Sequence, residues 1–495
     1  MISIIDAIVN NAKNDAKKII FIDKDKKITN EELLVDAKKI ASGLLEYNNQ
    51  PIAIYMNKGV DLISTMMGVT LSGNFYTVID SKMPKERIEL ILDVLKPKVI
   101  ITNLECDFSV NKVLLDDLKK NIIDENKLDY VHNNIVDTNP MYVLFTSGST
   151  GIPKGVVVSH KAVMSYLNWF TKCFEINDKT IFGNQTPLYF SMSVSDVLGT
   201  IYSGATLYFI PTMYFSFPIT LLNYLNDNKV NTIYWVPSAL SILANLDALN
   251  DYELPSLNKV LFAGEVMPTK VLSYWMDHVK ALYADLFGPT ETTDICTYYK
   301  VNRHIDINES IPIGVPCQNC GILIIKDNQE VKPGEVGELY VKGSFLADGY
   351  YNNPDKTKEV FVQNPINKAY PEVTYKTGDL VKMGHDNNLI YISRKDFQIK
   401  HMGYRIELGE IENRIYTIKD VITCCTIYVN DEISLYYEGK IDETDLIKQL
   451  KLKLPNYMMP NNVYKIAKMR YNMNGKVDRN YFTTLEKEKT NGKIN

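Results

Sequence analysis

The sequence predicts an α/β protein with more than one domain, and three observations support this fold class. Its 495 residues exceed the size of one ordinary hydrophobic core. From Met1 to about Asp137, helical patterns alternate with short apolar runs such as 51–55 and 99–102, which is typical of a parallel sheet covered on both faces. Between Ile311 and Asp396, short β runs with turn residues predict a small antiparallel or barrel-like subdomain.

Individual elements follow from capping and apolar spacing. Thr29 is a polar cap before an acidic first turn, and Leu33, Ala37, Ile40 and Leu44 follow at helical spacing. The patterns also predict helices over 161–174, 409–418 and 446–452 and a strand over 421–429. The last three elements predict a compact α+β module of about 100 residues at the end of the chain.

Composition is that of an ordinary globular enzyme. Hydrophobic residues make up 45% and charged residues 23% of the chain. The formal net charge of −5 gives no electrostatic reason to expect nucleic acid or an anionic membrane as a partner. No apolar run approaches the roughly 20 residues of a membrane span, and no basic region precedes the apolar patch at the start. A cytoplasmic location is the resulting expectation.

The cysteines do not form a disulfide pattern. There are seven, an odd number, and Cys424 and Cys425 are adjacent. Cys317 and Cys320 form a lone C-x-x-C without a second pair nearby, so a zinc site is not expected. Buried, reduced thiols are the expected state.

A loop rich in hydroxyls and glycines follows the apolar run 142–145. Glycines let backbone N–H groups approach a phosphate, hydroxyls add donors, and a lysine adds a point charge. The spacing differs from that of a Walker A loop, and a Ser/Gly-rich surface loop is the alternative interpretation. The residues concerned are Thr146, Ser147, Gly148, Ser149, Thr150, Gly151 and Lys154.

Segment 143–160 closely resembles the phosphate-binding motif of adenylate-forming enzymes, which include acyl-CoA synthetases, luciferases and adenylation domains of peptide synthetases. Segment 287–294 is similar to the family's Tyr-Gly-Pro-Thr-Glu motif with one aromatic exchange, and 375–380 to its Thr-Gly-Asp motif. Segment 71–80 resembles an early motif without its usual proline. Segment 474–479 is similar to the family's C-terminal lysine motif.

The resemblance spans nearly the entire chain and implies a two-domain organisation. Residues 1–395 would form an N-terminal adenylation core of two doubly wound α/β subdomains and a small β-barrel-like subdomain. Residues 396–495 would form a small mobile α+β domain that carries the catalytic lysine. The family pivots near Asp396 and Lys400, so that one orientation makes the adenylate and another admits a thiol.

The resemblance also assigns roles around ATP and Mg²⁺. Glu291 would be the magnesium ligand, since a hard carboxylate oxygen suits that ion. Thr290 would place its hydroxyl against the α-phosphate, and Lys476 would reach the same group from the mobile domain. Asp379 would accept both ribose hydroxyls, and Arg394 would contact the ribose although Ser393 replaces the usual glycine before it. The full set implied for the nucleotide is Thr146, Ser147, Gly148, Ser149, Thr150, Gly151, Lys154, Gly264, Glu265, Phe287, Gly288, Asp379 and Arg394.

The acid pocket departs from the family pattern at one position. Segment 185–196 is similar to the aromatic motif of D-alanine-activating ligases, in which an aspartate follows the phenylalanine and pairs with the substrate's α-ammonium group. Here that position is Ser191, and an ammonium ion without a countercharge would lose several kcal/mol. The pocket residues implied are Phe190, Ser191, Met192, Ser195, Tyr234, Leu261, Ala263, Leu286, Asp294 and Ile295.

Asp294 is a candidate replacement for that aspartate. By the resemblance it lies on the pocket wall, where it would favour a β-, γ- or aryl-amine acid over a standard α-amino acid. The alternative is that Asp294 caps a turn or bonds backbone N–H groups. A substrate without an amine is also left open.

The predicted function is ATP-dependent activation of a carboxylic acid, followed by transfer to a thiol. The motifs favour the phosphopantetheine arm of a carrier protein, which is expected in trans because no Gly-Gly-x-Ser attachment site follows Arg479. An acyl- or aryl-CoA ligase is the alternative, and a non-catalytic carrier-binding or sensor protein is a third possibility. Neither nucleic acid nor a membrane is expected as a partner.

Overall fold

The computed structural model describes residues 3–148, 151–302, 311–395, 397–471 and 477–490. The chain divides into two compact units. The first contains Met1–Ser81, Leu95–Phe145 and Gly155–Lys395. The second contains Lys82–Val94, Thr146–Lys154 and Asp396–Asn495. Two segments of the predicted N-terminal core, 82–94 and 146–154, therefore belong to the second unit.

Helices and strands alternate through the chain. Up to residue 235 the order is α1 (Ile4–Asn14), β1 (Ile19–Ile22), β2 (Lys27–Thr29), α2 (Asn30–Ser42), β3 (Pro51–Tyr55), α3 (Val60–Leu71), β4 (Phe75–Ile79), α4 (Lys85–Leu95), β5 (Val99–Thr102), β6 (Lys112–Leu114), α5 (Leu115–Leu118), α6 (Glu125–Asn134), β7 (Pro140–Thr146), β8 (Lys154–Ser159), α7 (His160–Cys173), β9 (Ile181–Asn184), α8 (Gly199–Ser203), β10 (Thr206–Phe209), α9 (Pro218–Asp227) and β11 (Thr232–Trp235).

Strands dominate the part that follows. The order is α10 (Pro237–Asn245), β12 (Lys259–Ala263), α11 (Thr269–His278), β13 (Leu282–Phe287), β14 (Thr297–Val301), β15 (Val315–Pro316), β16 (Cys320–Lys326), β17 (Gln329–Glu330), β18 (Gly337–Gly343), β19 (Gly349–Tyr350), α12 (Pro354–Val360), β20 (Phe361–Gln363), β21 (Val373–Met383), β22 (Leu389–Arg394), β23 (Gln398–His401), β24 (Tyr404–Glu407), α13 (Leu408–Tyr416), β25 (Val421–Val429), β26 (Glu432–Gly439), α14 (Glu443–Lys451), β27 (Asn462–Lys465) and α15 (Arg479–Thr490).

The first unit contains two largely parallel sheets and one antiparallel sheet. The nine-stranded sheet has the order β15-β14-β13-β12-β11-β9-β10-β1-β2, and the strands from β13 to β1 are parallel. The seven-stranded sheet has the order β19-β8-β7-β4-β3-β5-β6. Strands β16, β17, β18, β20, β21 and β22 pair only antiparallel. The predicted α/β fold class, with an antiparallel subdomain after it, is confirmed.

The apolar strand runs explain the parallel sheets. Every residue of β5 is buried, as are the first four residues of β3, because helices cover both faces of the sheet. Helix α3 is itself buried along almost its whole length, so it packs as an interior helix rather than as an amphipathic surface one. Thr29 caps α2 through the predicted reciprocal bonds with Glu32.

The second unit contains a small α+β module. Hairpin β23-β24 precedes α13, and β25, β26 and β27 form a three-stranded sheet. The strand predicted over 421–429 matches β25, and α13 lies within two residues of its predicted bounds. Helix α14 begins three residues earlier than predicted, because the Asp442 side chain accepts the Asp445 N–H and caps the helix there.

All seven cysteines are reduced thiols, and four of them are buried: Cys296, Cys317, Cys424 and Cys425. Within the described ranges, no group of three or more His, Cys, Asp or Glu side chains is arranged to hold a metal ion. In the same ranges, every helix is too short or too polar to cross a bilayer.

Candidate active site

The phosphate loop, residues 146–154, donates hydrogen bonds to oxygen atoms of the second unit. Ser147 Oγ donates to the Arg405 carbonyl oxygen at 2.6 Å, and the Gly148 N–H donates to Glu410 Oε2 at 3.2 Å. A Cβ atom on Gly148 would lie 2.0 Å from the Ile152 carbonyl oxygen, so only glycine fits there. The backbone at Gly148 therefore already binds one negatively charged oxygen, which is the chemistry expected of a phosphate site.

Two further atoms of this loop suit an anion. Lys154 is buried and its Nζ lies 3.5 Å from Glu407 Oε1, which also accepts a bond from Gln398. Thr146 Oγ1 is buried and has no hydrogen-bond partner among the described residues. An unpaired buried hydroxyl is costly unless a ligand or water completes it, so this atom fits a nucleotide oxygen. Ser149 and Thr150 lie outside the described residues.

A tight turn in the first unit shapes segment 287–296. The Cys296 N–H donates to the Phe287 carbonyl oxygen at 2.8 Å. A Cβ atom on Gly288 would lie 2.5 Å from the Asp294 carbonyl oxygen, so the turn closes only with glycine at this position. Thr290 begins a 3₁₀ turn, Thr290–Thr292, inside it. The turn places Glu291 and Asp294 in the buried interior.

Glu291 is held by a tyrosine that the sequence analysis did not identify. The Tyr350 hydroxyl donates to Glu291 Oε1 at 2.6 Å, and the Ala347 N–H donates to the Glu291 carbonyl oxygen. Tyr350 belongs to β19, which pairs with β8. Magnesium is commonly bound through one or two carboxylates together with substrate phosphates, so a single oriented carboxylate fits this ion.

Asp294 lies at the centre of a group of hydroxyls, here called the Asp294 cluster and consisting of Asp294, Ser191, Ser195, Tyr166 and Tyr234. Its Oδ2 accepts bonds from Ser195 Oγ at 2.7 Å and from both tyrosine hydroxyls at 3.1 Å. The Ser191 side chain also hydrogen bonds to the carboxylate. The resemblance implied that Asp294, Ser191, Ser195 and Tyr234 all line the acid pocket, and the structure brings these four residues together.

Burial raises the pKa of Asp294 to about 6, and the surrounding hydroxyl donors oppose that rise. All four groups bonded to this carboxylate are neutral hydroxyls. Burying a negative charge without a cation is costly, so a positively charged ligand group would stabilise the ionised form. The hydrogen-bond partners of the Asp294 carboxylate are side-chain hydroxyls. The alternative, in which Asp294 caps a turn, would require backbone N–H donors instead.

Four predicted pocket residues lie in neighbouring parallel strands of the large sheet, whose carboxyl ends are where open α/β sheets bind ligands. Tyr234 is in β11, Leu261 and Ala263 are in β12, and Leu286 is in β13. Phe190 and Ser191 are half-buried, whereas Met192 and Ile295 are buried. Gly264 and Glu265 follow β12, and Glu265 Oε2 accepts the Ser238 N–H at the start of α10.

The two predicted ribose residues pair with each other in the antiparallel sheet. Asp379 in β21 stands opposite Arg394 in β22, and Arg394 Nη1 lies 3.0 Å from Asp379 Oδ1. The ring of Tyr391, in the same strand as Arg394, lies 5.9 Å from that of Phe287. These contacts bring the 375–380 motif towards the 287–294 motif within the first unit.

The structure tests no role for the predicted catalytic lysine or for the two predicted hinge residues. Lys476 and Asp396 lie outside the described residues. Lys400 is in β23, and its carbonyl oxygen accepts the Tyr428 hydroxyl. Convergence of the phosphate loop and Lys476 on one nucleotide with Glu291 and Asp379 stays a prediction.

Sequence reasoning missed Tyr166, Tyr350 and Lys58. Lys58 Nζ donates to the Gln185 and Thr186 carbonyl oxygens and is attracted by the charge of Asp196. Burial lowers the pKa of Lys58 and raises that of Asp196. Their sequence context offers no signal, because Tyr166 is spaced like any core aromatic of α7 and Lys58 follows a strand like a surface residue.

Comparisons with known proteins agree with these features. The family model described as AMP-binding enzyme matches residues 8–351. The chain is 30% identical to the D-alanine–D-alanyl carrier protein ligase of Bacillus cytotoxicus, over 93% of this chain and 94% of that protein. It is 30% identical to tyrocidine synthase 1 of Brevibacillus parabrevis over 93% of this chain, but spans only 43% of that protein and 7% of tyrocidine synthase 3.

Solved structures show the same fold. The o-succinylbenzoate CoA synthetase of Bacillus subtilis superposes with a TM-score of 0.85 at 20% identity, covering 97% of this chain and 98% of that one. The adenylation domain AlmE of Vibrio cholerae, in complex with glycyl-adenosine-5′-phosphate, superposes with a TM-score of 0.83 at 21% identity, covering 98% and 97%.

Proposed function

Because the chain belongs to the AMP-binding enzyme family, we propose that it activates an amino-bearing carboxylic acid with ATP and transfers it to a carrier-protein thiol. The observation that carries the proposal is the nearly full-length match to a carrier protein ligase, together with a loop at 146–154 built to bind oxyanions. In the first step, a carboxylate oxygen attacks the α-phosphorus and the bond to pyrophosphate breaks. In the second, a thiolate attacks the acyl carbon and AMP leaves.

Each group in the site has a chemical task in this scheme. The phosphate loop and Lys154 bind phosphate oxygens, while Asp379 orients the ribose. Thr290 donates to the α-phosphate, where charge changes during the reaction. Electrostatic stabilisation of that charge accelerates the reaction only if it is stronger in the transition state than in the ground state. Glu291 would hold Mg²⁺, which supplies charge neutralisation for the phosphates.

Tyr350 is expected to orient Glu291 for this role. Tyr350→Phe removes the hydroxyl that donates to Glu291 Oε1 and helps to orient this carboxylate. We expect the Mg²⁺ concentration for half-maximal activity to rise by about tenfold or more, in line with the loss of one hydrogen bond to a charged group. Binding of Mn²⁺ to the protein with ATP, followed by electron paramagnetic resonance, checks the same shift without turnover.

The neighbouring Tyr351 provides a matched control for this prediction. Its ring packs against Phe75, so Tyr351→Phe should leave both metal titrations at the wild-type values. Equal metal dependence in Tyr350→Phe and wild type would contradict the orienting role.

The acid is proposed to carry a β-, γ- or aryl-amine that pairs with Asp294. The support is a buried carboxylate bonded by four neutral hydroxyls, at the wall where the family's own aspartate is replaced by Ser191. An ammonium group would supply the missing positive charge. A standard α-amino acid would place its amine nearer Ser191, which offers no charge.

Asp294→Asn is expected to remove the preference for an amine. The rate ratio between an amino acid and its des-amino analogue in ATP–pyrophosphate exchange should fall by about 10- to 100-fold, the effect of losing one buried charge pair. In wild type the ratio should decline as pH falls below about 6, where the Asp294 carboxylate takes up a proton. The ratio in Asp294→Asn should not depend on this titration.

Asp196→Asn is the control for burial of charge alone, because Asp196 is buried but coupled to Lys58. It should retain the amine preference. A wild-type enzyme that exchanges paired amino and des-amino acids at equal rates would exclude pairing between Asp294 and the substrate.

The thiol that accepts the acyl group distinguishes this proposal from its alternative, a CoA ligase. A CoA synthetase is among the proteins with the same fold. After the adenylate forms, a phosphopantetheinylated carrier protein and free CoA compete for the acyl group. We expect mass spectrometry to find the acyl group on the carrier with CoA in excess. Acyl-CoA as the main product would establish the alternative. Absence of exchange over a broad acid panel would favour the non-catalytic carrier-binding protein.

A further inference from the structure

The deep wall of the acid pocket is filled by side chains. The exposed fraction is 0% for Ser195, Tyr234, Leu261 and Tyr166 and does not exceed 2% for Ala263, Leu286, Asp294 and Ile295. A side chain that faces a space large enough for water would not be buried so completely. The accessible part of the pocket therefore lies beside Phe190 and Ser191, which remain half-buried.

Tyr166 reaches this wall from α7, a helix outside every recognised motif. Its hydroxyl lies 2.7 Å from Ser195 Oγ and donates to Asp294 Oδ2 at 3.1 Å. Its ring stacks on Phe170 at 6.0 Å and meets the edge of Phe345 at 6.3 Å. The side chain is thus fixed at both ends, by aromatic packing and by polar bonds.

Tyr234 closes the same region from the strand side. Its hydroxyl donates to the same Asp294 oxygen, and its ring lies 6.2 Å from that of Phe170. Two tyrosines and Ser195 therefore converge on one carboxylate oxygen, with Phe170 packed against both rings. A close-packed arrangement of this kind resists insertion of additional carbon atoms.

We propose that Tyr166, together with Tyr234, limits the length of the acid, so that the substrate is a short aliphatic β- or γ-amino acid and not an aryl acid. The proposal rests on the proposed function and narrows its substrate class. In this arrangement, the substrate amine meets Asp294 from the Ser191 side, and the tyrosine rings stop the chain beyond it. An aromatic ring on the acid would need the volume that Tyr166 and Tyr234 occupy.

The experiment compares acids of increasing size in ATP–pyrophosphate exchange. The panel contains β-alanine, 4-aminobutyrate, 6-aminohexanoate, 3-aminobenzoate and 4-aminobenzoate. Wild type should exchange fastest with β-alanine or 4-aminobutyrate, and at least about tenfold more slowly with the longer and the aryl acids, as expected for steric discrimination in a packed pocket. An aminobenzoate that exchanges as fast as the short acids would overturn the proposal.

Variants of Tyr166 test whether this residue determines the preference for short acids. Tyr166→Ala should shift the optimum towards 6-aminohexanoate or an aminobenzoate, by about tenfold or more in relative kcat/KM. Tyr166→Phe keeps the ring and should keep the wild-type size profile, as should Tyr130→Ala at an exposed position. If Tyr166→Ala does not fold, Tyr166→Leu supplies the smaller side chain.

The outcomes separate the two proposals. An unchanged size profile in a folded Tyr166→Ala or Tyr166→Leu variant would overturn the role of Tyr166 while leaving the proposed function intact. Fast exchange with large acids only would also overturn the role of Tyr166 and leave the proposed function intact. No exchange with any acid would contradict the proposed function itself.

Discussion

Replacing Lys476 with alanine should lower the rate of ATP–pyrophosphate exchange by about 100-fold or more while ATP binding changes little. A preorganised cation beside the α-phosphate acts mainly in the transition state, where its loss costs about 3 kcal/mol or more. The prediction follows from the resemblance of segment 474–479 to the family's lysine motif. Single-turnover adenylation measured by quenched flow, with ATP affinity measured by calorimetry, checks both parts.

Lys487→Ala is a suitable control for Lys476→Ala. Lys487 is an exposed lysine in the last turn of α15, so its removal should change neither rate nor affinity. If Lys476→Ala weakens ATP binding as much as it slows the chemistry, the lysine contributes ground-state binding and the predicted role is wrong.

The second large effect concerns the buried ion pair of the second unit. Arg87 in α4 and Glu410 in α13 are almost completely buried and hydrogen bonded to each other. Glu410→Ala would leave the Arg87 guanidinium without this carboxylate and would also remove the acceptor of the Gly148 N–H. We expect the free energy of unfolding to fall by about 3–5 kcal/mol, as for other buried pairs that lose one partner.

Denaturant unfolding followed by circular dichroism measures this loss. The double variant Arg87→Met with Glu410→Leu should be more stable than Glu410→Ala, because it leaves neither charge buried alone. Lys419→Ala, at an exposed position after α13, serves as a surface control within about 0.5 kcal/mol of wild type. A loss below about 1 kcal/mol in Glu410→Ala would contradict the prediction.

The fold was predictable where burial leaves a continuous signal in the sequence. Runs such as 51–55 and 99–102 are apolar throughout because both faces of their sheets are covered. The start of α14 was missed because Asp442, a polar residue before the apolar spacing, acts as its cap. The bond between Arg87 and Glu410 could not be predicted, because it joins residues 323 positions apart and no local pattern reveals such a contact.

The candidate site was predictable only where several residues form a recognisable motif. Ser191 was singled out because it replaces the aspartate of a family motif. Asp294 was singled out because it ends segment 287–294, which follows a family motif. Tyr166 could not be found in this way, because a tyrosine that bonds a carboxylate and one that only packs have the same helical spacing. Tyr350 acts on Glu291 from 59 residues away, so only the fold connects them.

The composition of the second unit determines how a cut in the polypeptide affects its stability. A fragment that begins at residue 397 would retain Glu410 and lose both Arg87 and the Gly148 N–H, its two described bonding partners. The fragment would keep both of its hydrophobic cores, which contain only residues after 398. We therefore expect it to fold, but with a lower free energy of unfolding than the same segment has in the intact polypeptide, because the bonds of Glu410 to Arg87 and Gly148 are lost.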